Sequence, residues 1–348
     1  MQAVLDEIKP IFIYTKICGF FPFKLNKNEA KLTKIHFLYT LLWFLVGFVI
    51  SYFRFTSNVQ KLVTSPIVLI GLQTRQILAT AAIKSTYFLN TFYREKIWKI
   101  FNEFRSFDLQ LSSMNLSINH QASKKFSTNS TIFIIFIAGS LSILSKIIFT
   151  VLFSSDANLF YQFLVWLGGL TTIINGSAYL TFVIVIIHGV KIRLIKFNEE
   201  IQKIDQKKII KFSKLHFQLC EIVDLINLVF MFPFAIFLAS NLTGMTFMCF
   251  QLFESYLFIN SNLLGTLIFV ILWNGFLSIA ILYFIFKCSK TTIDGKLSYE
   301  IVNKTLRKES DGKLKNRLRI IKQQIWHKEI IFSCGLFEVN FGVILMVS

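Results

Sequence analysis

The sequence has 348 residues, of which 54% are hydrophobic and 40 are phenylalanine, with a mean hydropathy of +0.59 and a formal net charge of +18. A soluble domain of this length distributes its apolar residues in short periodic pieces, whereas here they come in long runs, so the composition excludes a soluble globule and predicts an integral membrane protein. In such a chain, clustered Lys and Arg mark cytoplasmic loops rather than a surface for nucleic acid.

Met1 to Asn28 mixes polar and aromatic residues, with Asp6, Glu7 and Lys9 where a cleavable signal peptide needs an unbroken apolar core, so insertion falls to the first span itself. Apolar runs follow at 35–53, 62–83, 131–153, 160–188, 226–250 and 261–286, each long enough to cross a bilayer. A seventh run, 331–348, supplies 18 residues where a span needs about 20. It is read as a partial seventh span, with the chain stopping before its outer end.

Of the 37 basic residues, 33 fall in the stretches 1–34, 84–130, 189–225 and 287–330, and only 2 fall in the alternate stretches. The positive-inside rule converts that alternation into an orientation: the N-terminus is cytoplasmic and the seventh span runs outward. The predicted fold is an all-α membrane protein, a single seven-transmembrane helical bundle over 1–348 with six full spans and a partial seventh. Long cytoplasmic helical extensions complete it. Ile201, Ile204, Ile209, Phe212, Leu215, Leu219, Ile222 and Ile226 recur at helical spacing, as do Ile97, Ile100, Phe104, Phe107 and Leu111, and Leu314, Leu318, Ile321 and Ile325. Such stripes suit either an anionic headgroup surface or a cytoplasmic helical bundle. The bundle is expected, because all three stripes adjoin span ends that hold them close together.

The outer loops, such as 154–159 and 251–260, are too short to form a ligand-binding domain, so any ligand must enter a cavity among the helices. Charges at membrane depth usually face a cavity or a partner. Arg75, in the middle of the second span, is therefore a candidate contact for an anionic or polar ligand, or else a structural tie to another helix; Lys146 is expected to snorkel to the outer headgroups. Trp166, Asn175, Tyr179, Asn241, Trp273 and Asn274 supply the few polar handles that an apolar small-molecule pocket requires. Interfacial anchoring and interhelical hydrogen bonding are the alternative roles for these residue types.

Nothing in the sequence points to catalysis. The five histidines are widely separated, the five cysteines show no CxxC spacing, and no GxSxG or P-loop occurs, so no enzyme, cofactor or metal is expected. A cytoplasmic N-terminus and the absence of Asp-Arg-Tyr and Asn-Pro-x-x-Tyr oppose a G-protein-coupled receptor, and no repeated halves suggest a transporter.

The inverted seven-span pattern, together with Phe332-Ser-Cys-Gly-Leu-Phe337 after a basic amphipathic loop, resembles the insect gustatory receptors of the seven-transmembrane chemoreceptor superfamily. The family's Thr-Tyr and Gln-Phe motif would lie beyond Ser348. The resemblance implies a ligand-gated, nonselective cation channel in the plasma membrane, a homo- or hetero-tetramer in contact with membrane lipid that detects a small-molecule tastant. It also implies a pore lined by the seventh helices, with Cys334, Gly335, Leu336, Phe337, Glu338 and Asn340 on that helix. An odorant receptor of the same superfamily is the alternative.

Overall fold

The computed structural model describes residues 2–21, 23–25, 30–55, 66–153, 159–203, 208–257 and 263–342. Among them the chain forms α1 (Gln2–Ile17), a hairpin of β1 (Phe23–Leu25) and β2 (Ala30–Leu32), α2 (Lys34–Phe55), α3 (Pro66–Phe92), α4 (Arg94–Ser112), α5 (His120–Phe153), α6 (Leu159–Ile201), α7 (Ile209–Leu257), α8 (Leu263–Lys308) and α9 (Gly312–His327). Among the described residues the named strands are those of that antiparallel hairpin, which pairs Phe23 with Leu32, and the other named elements are helices. The starts of the expected spans 62–83 and 261–286, most of the outer loop 154–159, Ile204 of the expected stripe and the end of the run 331–348 lie outside the described residues.

Within the described residues, four helices are long and apolar enough to cross a membrane, over Pro66–Phe92, Gly169–Ile201, Ile209–Phe247 and Gly275–Lys308. On α2 and α5, Phe37, Leu38, Leu41, Phe48, Ile132, Phe133, Phe136 and Ile147 are exposed. An apolar face of that size is tolerable only where hydrocarbon covers it, so these two helices present their outer faces to lipid.

With 43, 49 and 46 residues, α6, α7 and α8 are each about 65–74 Å long at 1.5 Å per residue, more than twice the hydrocarbon thickness. Their projecting halves pack with α4 and α9 in a continuation of the same hydrophobic core. The apolar stripes close inward on it: Ile97, Ile100, Phe104, Phe107 and Leu111 of α4, Phe212, Leu215, Leu219 and Ile222 of α7, and Leu314, Leu318, Ile321 and Ile325 of α9 are all buried. The stripes therefore meet one another and not a headgroup surface. Asp311 caps α9 by accepting from Lys313 N at 3.0 Å.

The N-terminal segment adds an element that composition had hidden. Val4, Ile8 and Ile11 of α1 are buried at spacings of four and three, and Phe20, Phe21 and Phe23 follow them into the core. Phe20 stacks on Tyr87 of α3 at 4.9 Å, and Phe21 meets Phe182 of α6 at 4.6 Å.

The last stretch departs from the expected seventh helix over 331–341. Residues 328–341 are not helical, and the expected span beyond Gly342 lies outside the described residues. Cys334, Gly335, Leu336 and Phe337 instead make a tight turn, with Ser333 bridging Glu338 and Val339 N donating to Phe332 O at 2.7 Å. Two features select the turn. Gly335 has φ +84°, a left-handed conformation natural to glycine, and Asn227 of α7 occupies the backbone that a helix would need. The Asn227 Nδ2 donates to Ile331 O at 2.8 Å, and Ser333 N donates to the Asn227 Oδ1 at 3.2 Å.

Candidate functional site

Among the described residues, a polar-lined chamber lies between α3, α6, α7 and α8, within their candidate membrane spans. Its polar wall is Arg75 and Gln76 of α3, Thr172 of α6, and Ser240 and Asn241 of α7; its apolar wall includes Ala79, Leu180, Phe237, Leu277 and Ile281. The helices are drawn together there by side-chain hydrogen bonds. Ser240 Oγ donates to Arg75 O at 3.2 Å, and Asn241 Nδ2 donates to Ser278 Oγ of α8 at 3.0 Å.

Two glycines set the approach of α3 to α7. A Cβ at Gly71 would lie 2.1 Å from the Phe247 ring, and one at Gly244 would lie 2.6 Å from Arg75 Nε. Only a bare backbone lets the Arg75 side chain lie across α7 at that point. The free space inside the chamber is about 20 Å³, room for a water molecule, whereas small-molecule sites run from about 300 Å³ upward. The form described is thus closed, and any ligand needs the helices to part.

Of the residues singled out in the sequence, Arg75 and Asn241 meet in this wall. Tyr179 lies one layer behind it, stacked on Phe237 at 5.5 Å, with its hydroxyl donating to Phe230 O. Asn175 is buried on the same helix but is not part of the lining. The side chains of Trp166, Trp273 and Asn274 lie outside the described residues. Gln76, Thr172 and Phe237 complete the wall. Gln76 could have been suspected beside Arg75, but Phe237 is one of 40 phenylalanines and nothing in the pattern distinguishes it.

A second polar cluster lies in the projecting half. Arg193 of α6, 1% exposed, donates Nε and Nη2 to both carboxylate oxygens of Asp108 at 2.9 and 2.6 Å, and its Nη2 is 3.7 Å from Glu7 Oε1 of α1. Glu7 also accepts from Ser123 Oγ at 2.9 Å and hydrogen-bonds His120, so the cluster ties α1, α4, α5 and α6 together. Burial raises the Asp108 carboxyl above the ordinary range, and the Arg193 guanidinium opposes that shift. Glu7, Asp108 and His120 could offer ligand atoms to a metal within 4.8 Å of one another. Here the Arg193 guanidinium already occupies the space between the two carboxylates, within 2.6 Å of Asp108 and 3.7 Å of Glu7, so the arrangement reads as a structural hub.

From the chamber to the last turn the connection is α7 itself. One end carries Phe237, Ser240 and Asn241; 14 residues earlier, about 21 Å along the helix, Asn227 grips Ile331 and Ser333. Nearby, Lys328 Nζ pairs with Asp224 at 3.1 Å and Cys220 Sγ donates to Lys328 O at 3.3 Å.

These features define a multi-pass helical membrane protein whose central helices enclose a small chamber and extend into a packed helical base. A sequence model of the family described as 7tm Chemosensory receptor matches residues 8–348. The chain belongs to that chemosensory receptor family. Among solved structures, it is similar to the insect olfactory receptor OR5 from Machilis hrabei, with a TM-score of 0.72 and 15% identity over 98% of this chain and 94% of that one. It is likewise similar to OR5 in complex with eugenol, with a TM-score of 0.72 and 13% identity over the same shares. Among curated proteins none matches the sequence.

Proposed function

We propose that this protein is a gustatory receptor: a subunit of a ligand-gated, nonselective cation channel of the plasma membrane that detects a small-molecule tastant. The observation that carries the reading is the closed, polar-lined chamber between α3, α6, α7 and α8 in a chain of the chemosensory receptor family. A ligand shifts a conformational equilibrium only through differential affinity for its states. Because the closed chamber has room for little more than a water, a ligand favours the parted arrangement, and binding is coupled to movement of α7.

In this reading Arg75 and Asn241 contact the ligand directly. Asn175 and Tyr179 support the wall from behind, and Trp166, Trp273 and Asn274 remain candidates for ligand contact. Movement of α7 is transmitted through Asn227 to the turn at Cys334, Gly335, Leu336 and Phe337. Glu338 and Asn340 follow that turn on the approach to the pore-lining segment. Four subunits, alike or mixed, surround the pore, with the N-terminus in the cytoplasm and lipid around α2 and α5.

The likeness to a solved olfactory receptor, one form of which contains eugenol, favours a second reading as an odorant receptor. The two are separated by recording currents from cells expressing the chain during separate screens of water-soluble tastants and volatile odorants. Activation confined to volatiles would replace the gustatory reading with the odorant one. A current that requires G-protein signalling would overturn both.

A further inference from the structure

We infer that the chamber recognises the carboxylate of a small, otherwise apolar organic acid through Arg75; the inference rests on reading the chamber as the ligand site. Among the described residues the lining holds one guanidinium, four neutral hydrogen-bonding side chains and no carboxylate, while its remaining face is built from Ala79, Leu180, Phe237, Leu277 and Ile281. An apolar body with one strong acceptor matches both faces. Arginine is the side chain suited to planar, bidentate recognition of a carboxylate, and in a water-poor site that interaction is stronger than at a surface.

The position of the guanidinium is built into the helix crossing. Gly244 is the residue over which the Arg75 side chain lies, and a Cβ there would meet Nε at 2.6 Å and Cδ at 2.7 Å. Ser240, one turn before Gly244 on α7, holds the Arg75 main chain at 3.2 Å. Backbone and side chain of the same arginine are thus both set by α7, the helix that Asn227 joins to the last turn. An anion drawn to Arg75 would act at the place where α3 and α7 meet.

The test uses the full chain in lipid nanodiscs, with ligand-induced thermal stabilisation as the readout. The probes are benzoate, phenylacetate and hexanoate, each against its methyl ester and primary amide. The expected result is stabilisation by at least one acid but not by its ester or amide. Removing one member of a buried charged pair typically weakens binding by thirtyfold or more, so Arg75→Gln should weaken acid binding by at least about that factor. Gly244→Ala, which keeps the charge but displaces the side chain, should weaken it as well, and Ala is the better helix former. Leu277→Trp, which fills the chamber, should abolish it.

Esters or amides that bind as well as the acids, with Leu277→Trp abolishing both, would overturn the carboxylate inference and leave the chamber as the ligand site. Acid binding that survives Leu277→Trp would overturn the site itself. No stabilisation by any acid up to millimolar concentration would also overturn the inference.

Discussion

Arg193 shows how much one buried side chain can hold. It is among the largest fully buried side chains of the chain and faces two carboxylates that are themselves nearly buried, Asp108 at 11% and Glu7 at 4% side-chain exposure. Removing one partner of a buried ionic cluster leaves uncompensated charge and costs about 3–5 kcal/mol. Arg193→Met should therefore lower unfolding stability by about 3 kcal/mol or more, measured by denaturant titration in micelles. His216 offers a different test. Burial, assisted by Lys328, lowers its pKa from 6.5 to about 4, so the folded protein keeps it neutral while the unfolded chain protonates it. The sign follows: the stability is present above pH 6.5 and is lost as pH falls toward 4. Between pH 7 and pH 5 that loss is about 2 kcal/mol, and His216→Phe should remove this share of the acid sensitivity. An unchanged pH dependence in the variant would show that other groups carry it.

At the scale of elements, α7 is the member that joins chamber to turn. Asn227→Ala deletes both hydrogen bonds to the Ile331–Ser333 backbone while leaving the chamber wall untouched. The expected outcome is ligand binding within about threefold of the parent with ligand-evoked current reduced at least about tenfold, measured by pairing thermal stabilisation with recording. A parallel loss of binding would place Asn227 in the ligand site instead.

Much of α7 was legible in advance, because Phe212, Leu215, Leu219, Ile222 and Ile226 repeat at helical spacing and the fold buries them all. The same regularity announced α4 and α9. By contrast, the helix in α1 was obscured by Asp6, Glu7 and Lys9, since Glu7 is paired within the hub and only Val4, Ile8 and Ile11 carry the period. The turn at Cys334 to Phe337 escaped because hydropathy registers Gly335 as one neutral residue among apolar ones. Its φ and the grip of Asn227, 108 positions earlier than Gly335, are tertiary facts. The chamber was half visible: Arg75 and Asn241 are rare polar residues at membrane depth, but which of many phenylalanines and leucines face them depends on helix rotation, which composition does not encode.

For the whole molecule, burial and the charge pattern combine into one arrangement. Apolar faces of α2 and α5 point to lipid, the chamber lies among α3, α6, α7 and α8, and the basic segments gather with α4 and α9 in the projecting base. In the orientation we propose from the positive-inside rule, that base, and with it the N-terminus, faces the cytoplasm. An N-terminal epitope should stain only after cells are permeabilised, and staining of intact cells would reverse the orientation. In the proposed function, ligand entry into the chamber opens a cation pathway in the protein itself. The most direct measurement is ligand-evoked current in excised membrane patches bathed without nucleotides, comparing the parent with Leu277→Trp. Current is expected to persist after excision and to disappear when the chamber is filled. Current that vanishes when GTP is withdrawn, or that is indifferent to the filled chamber, would contradict the proposed function.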